Sequence, residues 1–85
     1  MNTRETLKIN SAGHLSIGGA DTTELAAHFG TPLYVMDEQY IRDMCAAYSK
    51  AIRTDYGGNG LVLYASKAFS CMAIYRIAEQ EGIGV

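Results

Sequence analysis

Lys67 is the residue best placed to do chemistry. It follows an apolar run, Leu61-Val62-Leu63-Tyr64-Ala65, and one serine, and Ala68 and Phe69 come after it. Side chains alternate along a strand, so Leu61, Leu63, Ala65 and Lys67 share one face. An amine held on an apolar face loses hydration, and desolvation favours the neutral, nucleophilic form. Such an amine attacks an aldehyde to form a Schiff base. The plainer alternative is a lysine that snorkels to water. Periodicity alone favours that alternative. The carboxyl end of a strand, where parallel α/β folds bind ligands, weighs against it.

The remaining chemistry-bearing residues have simpler readings. Gly57-Gly58-Asn59-Gly60 precedes a strand rather than a helix, so it is a turn and not a phosphate-binding loop. Gly18-Gly19 is read as a strand terminator. His14 sits near a turn and His28 late in a short helix, neither with a second ligand at metal spacing, so no metal is expected. Cys45 lies on an apolar helix stripe and is read as packing. Cys71 lies near a helix start with no partner base in view, and packing is preferred there too. Tyr64 alternates to the face opposite Lys67 and is expected to pack against a covering helix.

The elements that would position Lys67 follow from periodicity and punctuation. Leu7 and Ile9, then Leu15 and Ile17, alternate with polar residues around Asn10-Ser11-Ala12-Gly13, which predicts a β-hairpin. Asp21 with Glu24 three residues on predicts a helix start, with Leu25, Ala26 and Phe29 inward, Gly30 as stop and Pro32 blocking continuation. Leu33-Tyr34-Val35-Met36 is predicted as a short strand, and Asp37 as the cap of the next helix. There Ile41, Met44, Cys45, Tyr48 and Ile52 fall at offsets 0, 3, 4, 7 and 11, one stripe of helical period. Residues 61–65 read as a strand buried on both faces, as in a parallel sheet. Ser70 is expected to cap a third helix with Ile74, Ile77 and Ala78 inward and Gly82 as stop, and Ile83-Gly84-Val85 to open a further strand. The alternation of β and α favours a parallel sheet with right-handed crossovers.

Composition narrows the classes. The chain has 85 residues, a formal charge of −2 and 48% hydrophobic content. It holds no apolar run of about 18 residues, so no membrane span is expected. No Lys/Arg cluster is present, which argues against a nucleic-acid partner. Residues 1–5 lead to no apolar signal core, and Cys45 and Cys71 then read as reduced thiols of a cytoplasmic protein.

Two segments resemble one family. Phe29-Gly30-Thr31-Pro32-Leu33-Tyr34-Val35-Met36-Asp37-Glu38 is similar to a segment of diaminopimelate decarboxylases, and Tyr64-Ala65-Ser66-Lys67-Ala68-Phe69 to their pyridoxal-phosphate lysine motif. Ile17-Gly18-Gly19, Leu25-Ala26 and Glu81-Gly82-Ile83-Gly84 extend the likeness, so it runs from about Gly13 to Val85. Met36 stands where members often have Tyr, which is expected to be a packing change.

The resemblance implies a fold type III, alanine-racemase-like enzyme: a (β/α)₈ TIM barrel plus a β domain built from both chain ends. Residues 1–36 would contribute to the β domain, and residues 37–85 would start the barrel, with residues 61–66 as its first strand. Lys67 would carry pyridoxal 5′-phosphate, and Ala65 would lie near the cofactor ring. The activity implied is decarboxylation of meso-2,6-diaminopimelate to L-lysine and CO₂, the last step of lysine biosynthesis, in a homodimeric parent. A barrel needs about 250 residues, so the 85 residues read as an incomplete N-terminal piece, inactive and poorly folded alone. The family's remaining cofactor and substrate residues, its catalytic cysteine included, would lie beyond Val85. Two alternatives stand beside this reading. One is another fold type III decarboxylase, acting on ornithine, arginine or carboxynorspermidine. The other is a small non-catalytic α/β interaction module.

Overall fold

The structure, a computed structural model, describes residues 6–85; the reading made at residues 1–5 lies outside them. The chain divides into two compact units, one up to Tyr40 and the other Ile41–Val85.

In the first unit the predicted hairpin forms. Strands β1 (Leu7–Ile9) and β2 (Leu15–Ile17) pair antiparallel with Leu7 opposite Ile17 and Ile9 opposite Leu15. Asn10 organises the turn between them. Its side-chain oxygen accepts from the Ala12 and His14 N–H groups at 3.0 and 2.9 Å, and its own N–H donates to the His14 carbonyl at 2.8 Å. This is the reason asparagine suits the position: its side chain substitutes for a missing backbone acceptor.

Gly18-Gly19 does not end the sheet. It turns the chain directly into β3 (Ala20–Asp21), which pairs antiparallel with β2 through Ser16–Asp21 and Ile17–Ala20. Both glycines have positive φ, 58° and 86°. A two-residue hairpin turn matching the strand twist needs that conformation, and glycine supplies it without steric cost. At Gly18 a Cβ would also stand 3.0 Å from the Asp37 carboxylate.

Helix α1 (Thr22–Phe29) begins where expected, with the Asp21 carboxylate accepting from the Thr23 N–H at 2.8 Å. It ends at Gly30, whose N–H donates to the Ala26 carbonyl. Leu25 and Ala26 are half-buried, but Phe29 is exposed and is no part of an inward face. Residues 33–36 form no strand. All four are exposed, Tyr34 at 92%. β propensity expresses itself only beside a pairing neighbour, and none stands there among the described residues.

Helix α2 (Glu38–Asp55) starts with the Asp37 carboxylate accepting from the Tyr40 N–H at 3.1 Å, as predicted. Of the predicted stripe, Ile41, Met44, Cys45 and Ile52 are half-buried and Tyr48 is exposed. In the second unit Arg42 reaches across to the end of α3 (Met72–Gln80), donating to Glu81 Oε1 at 3.0 Å and Gln80 Oε1 at 2.8 Å. Ile77 and Ala78 of α3 are buried with Ile83, and these three form the core among the described residues. The residue at the N-cap of α3 is Cys71, not Ser70; the Ser70 hydroxyl donates instead to the Ser66 carbonyl. Gly82 closes α3, its N–H donating to the Glu79 carbonyl.

Residues 61–65 depart most from expectation. They form no strand and are not buried on both faces: Leu61 is 74% and Leu63 60% exposed, while Val62 and Tyr64 are half-buried. The alternation is that of a strand with one face covered. Neither this segment nor residues 83–85 forms the expected strand, but the two meet at one isolated bridge, which is parallel. Leu63 bridges Gly84, the Tyr64 N–H donates to the Gly84 carbonyl at 2.7 Å, and the Gly84 N–H to the Val62 carbonyl at 3.0 Å. A Cβ at Gly84 would fall 2.6 Å from Leu63, so the close approach of these two chains uses the missing side chain. The fold is thus a small α/β arrangement, with a three-stranded antiparallel sheet in its first unit and helices with one isolated parallel bridge in its second; the described residues form no closed barrel.

Candidate functional site

Lys67 sits at the carboxyl end of the extended segment, in a one-turn 3₁₀ helix, Ser66–Ala68. It is exposed, as are Leu61, Leu63 and Ala65 on the alternating positions before it. The expected water-poor surround is therefore not supplied by the described residues. What they supply is an accessible primary amine beside an uncovered apolar strip.

The turn around the lysine is braced. The Ala68 N–H donates to the Ala65 carbonyl at 3.1 Å, closing the 3₁₀ turn. The Ser70 hydroxyl donates to the Ser66 carbonyl at 2.5 Å. The Tyr64 hydroxyl donates to the Phe69 carbonyl at 2.8 Å and so spans the turn from one side to the other. Alternation along the strand does place Tyr64 away from the exposed face, but its hydroxyl returns to the lysine turn. Strand alternation carries no signal for that; the five-residue spacing of Tyr64 and Phe69 in a tight turn is the only hint in the sequence.

The other candidates fall elsewhere. The Cys45 thiol is pushed up by burial, and the Glu81 charge adds to this while Arg42 opposes it. A thiol so held is a poor nucleophile, which accords with packing. Cys71 is half-buried at the N-cap of α3. Gly57-Gly58-Asn59-Gly60 forms the turn that ends α2. It helps line a cleft of about 220 Å³ with Ser49, Arg53 and Glu81, and Lys67 is not among the lining residues.

His14 belongs to a polar cluster in the first unit. Its Nδ1 lies 2.8 Å from Asp21 Oδ2, which also accepts from the Asn10 amide at 2.9 Å. Asp21 Oδ1 accepts from the Thr23 hydroxyl at 2.6 Å. The Thr23 hydroxyl, His14 and Asn10 together hold the Asp21 carboxyl far below the usual carboxylate range. This cluster fastens β3 and α1 to the hairpin. His28 stacks edge-on against Phe29, ring centroids 4.5 Å apart. Among the described residues no group of three or more His, Cys, Asp or Glu could hold a metal ion, and no helix is long and apolar enough to cross a membrane.

Lys67 is thus exposed on a braced turn that follows the Leu63–Gly84 bridge. Among known proteins the likeness is to diaminopimelate decarboxylases. The chain is 44% identical over 79 residues to the diaminopimelate decarboxylase of Synechocystis sp. and 46% over 80 residues to that of Halalkalibacterium halodurans. It is 44% identical over 80 residues to that of Bacillus subtilis. These alignments take in 93–94% of this chain but only 17–18% of each relative, in the N-terminal region of those enzymes. An alignment of at least 79 of 85 residues necessarily includes Lys67. No family model and no solved structure matches the chain.

Proposed function

We propose that these residues supply Lys67 to a pyridoxal-phosphate-dependent carboxy-lyase that converts meso-2,6-diaminopimelate to L-lysine and CO₂. The observation that carries this is the 44–46% identity to proteins named diaminopimelate decarboxylase, across 93–94% of the chain. In the net reaction one carboxylate leaves the substrate as CO₂ and a proton takes its place on the same carbon.

The site's residues suit the cofactor. An accessible lysine amine is the donor that an aldehyde requires, and the exposed Leu63 and Ala65 offer apolar surface to a flat ring. Ala65 is accordingly proposed as a cofactor neighbour. When bound, pyridoxal phosphate supplies the aldehyde and an electron sink for the bond that breaks. Lys67 would hold the cofactor through its side-chain amine. The same amine, when not so engaged, would be the chain's own group for moving a proton. The braced turn fixes the lysine backbone while leaving the four-carbon side chain free to swing between these duties.

Residues 1–36 are proposed as a contribution to a β domain and residues 37–85 as the start of a (β/α)₈ barrel, with residues 61–66 its first strand. Two features support this. The antiparallel sheet is confined to the first unit, and in the second a single parallel bridge joins Leu63 to Gly84 across α3. Parallel pairing across a helix is what a barrel repeats. The exposed face of Leu61 and Leu63 is then a face that further strands and a ligand would cover. A cytoplasmic homodimer acting on this small amino acid completes the proposal, by the same resemblance.

The test is a substrate panel on the intact, cofactor-loaded protein. CO₂ should be released from meso-diaminopimelate at a kcat/KM at least a hundredfold above that for ornithine, arginine or carboxynorspermidine, a gap of about 3 kcal/mol. Preference for one of the other three would reassign the substrate, and release from none would remove the decarboxylase.

A further inference from the structure

We infer that Tyr64 is a positioning residue for Lys67, acting through the hydrogen bond from its hydroxyl to the Phe69 carbonyl. The inference rests on the function proposed above and concerns the same site.

The lysine lies in a 3₁₀ turn of three residues, Ser66–Ala68. Such turns have poor hydrogen-bond geometry and little cooperativity, so their position depends on what is attached to them. Here the chain leaves the turn extended, with Phe69 at φ −162° and ψ 113°, and α3 does not begin until Met72. The three residues between turn and helix, Phe69 to Cys71, would let the lysine backbone drift. Tyr64 prevents this at both of its ends. Its N–H donates to the Gly84 carbonyl at 2.7 Å, fixing it to the neighbouring chain, and its hydroxyl donates to the Phe69 carbonyl at 2.8 Å. The position of the turn is thereby referred to the parallel pair formed by Leu63 and Gly84. The Ser70 hydroxyl, donating to the Ser66 carbonyl, tightens the turn internally but does not attach it to that pair.

The consequence is chemical. Attachment of the cofactor forms one C=N bond between Lys67 Nζ and the aldehyde carbon, and the aldehyde oxygen leaves as water. Rates of such steps between held partners fall steeply with small misplacement. The hydroxyl bond is exposed to solvent, so its removal leaves no buried polar group unpaired and should spare the fold.

The experiment strips the intact protein of cofactor, adds pyridoxal phosphate and follows the visible absorbance of the attached cofactor. Tyr64→Phe removes the hydroxyl and keeps the ring; Tyr64→Leu removes both. Attachment is expected to slow about fivefold in both, the effect of one ordinary hydrogen bond, with the melting temperature of Tyr64→Phe unchanged. Attachment at the wild-type rate in Tyr64→Phe overturns the inference. So does a slow Tyr64→Leu beside a normal Tyr64→Phe, because ring packing would then be the cause. A slow Tyr64→Phe whose melting temperature falls in parallel overturns it as well, since the hydroxyl would then serve stability alone. Borohydride reduction of the loaded wild type separates the two proposals: if no label is found on Lys67, the assigned function fails, whatever Tyr64 does.

Discussion

The Asp21 cluster and the Lys67 turn are both small knots of hydrogen bonds, yet they do opposite things. At Asp21, the carboxylate gathers the Thr23 N–H and hydroxyl, His14 and Asn10, all within fifteen residues of chain. Both oxygens of that carboxylate are taken up by partners. At Lys67 the bonds close around the backbone and leave the amine exposed. Polar groups that satisfy each other make structure; polar groups held still and left accessible make a site. The surrounding surfaces differ in the same sense. The first unit pairs three strands in sequence order, whereas residues 61–65 meet one parallel neighbour and keep Leu61 and Leu63 uncovered.

This contrast can be broken most severely at Lys67. Lys67→Ala in the intact protein should abolish cofactor attachment and turnover while leaving the melting temperature within a degree or two of wild type, since an exposed side chain contributes little to stability. Absorbance and thermal melts check this, and a mutant that still binds cofactor covalently would contradict the assigned role. In the first unit, Gly18→Ala should act on stability instead. Its φ of 58° is left-handed and its Cβ would meet Asp37 at 3.0 Å. A loss of about 1–2 kcal/mol is expected from the backbone term alone, read as a lower denaturant midpoint. An unchanged midpoint would mean that the turn opens elsewhere without cost.

The smallest effect concerns acid. The Asp21 carboxyl is held below its ordinary range near 3.9 by the Thr23 hydroxyl, His14 and Asn10. The folded state therefore binds this proton less readily than the unfolded chain. The stabilisation is complete above about pH 4 and is lost as pH falls below it. Asp21→Asn should flatten stability against pH in that acid range and leave the neutral range with only the weaker cap. A mutant with the wild-type acid slope would show that other carboxylates set it.

Much of this was readable from residue order because it is local. Asp21, Gly30, Asp37 and Gly82 each mark a helix end within one turn of themselves. Asn10 and its neighbours do the same for the hairpin. Apart from the cap of α3, expected at Ser70 and found at Cys71, the main misreadings concern partners. Residues 33–36 have β propensity but no ladder beside them, and the apolar run at 61–65 said nothing about which faces the described residues would cover. Gly18-Gly19 was legible as the end of β2; the two-residue length of β3 hid the strand behind it. At the site, Lys67 stood out by its apolar approach. The 3₁₀ turn and the Tyr64 clip did not, because a five-residue return of a side chain onto its own backbone has no periodic signature.

The central claim is that Lys67 is the amine that holds the cofactor, and reductive trapping tests it most directly. The intact, cofactor-loaded protein is treated with borohydride, digested and mapped by mass spectrometry. A pyridoxyl label on the peptide containing Tyr64-Ala65-Ser66-Lys67-Ala68-Phe69, at Lys67, is the predicted result. A label confined to another lysine, or none on the loaded protein, would contradict it.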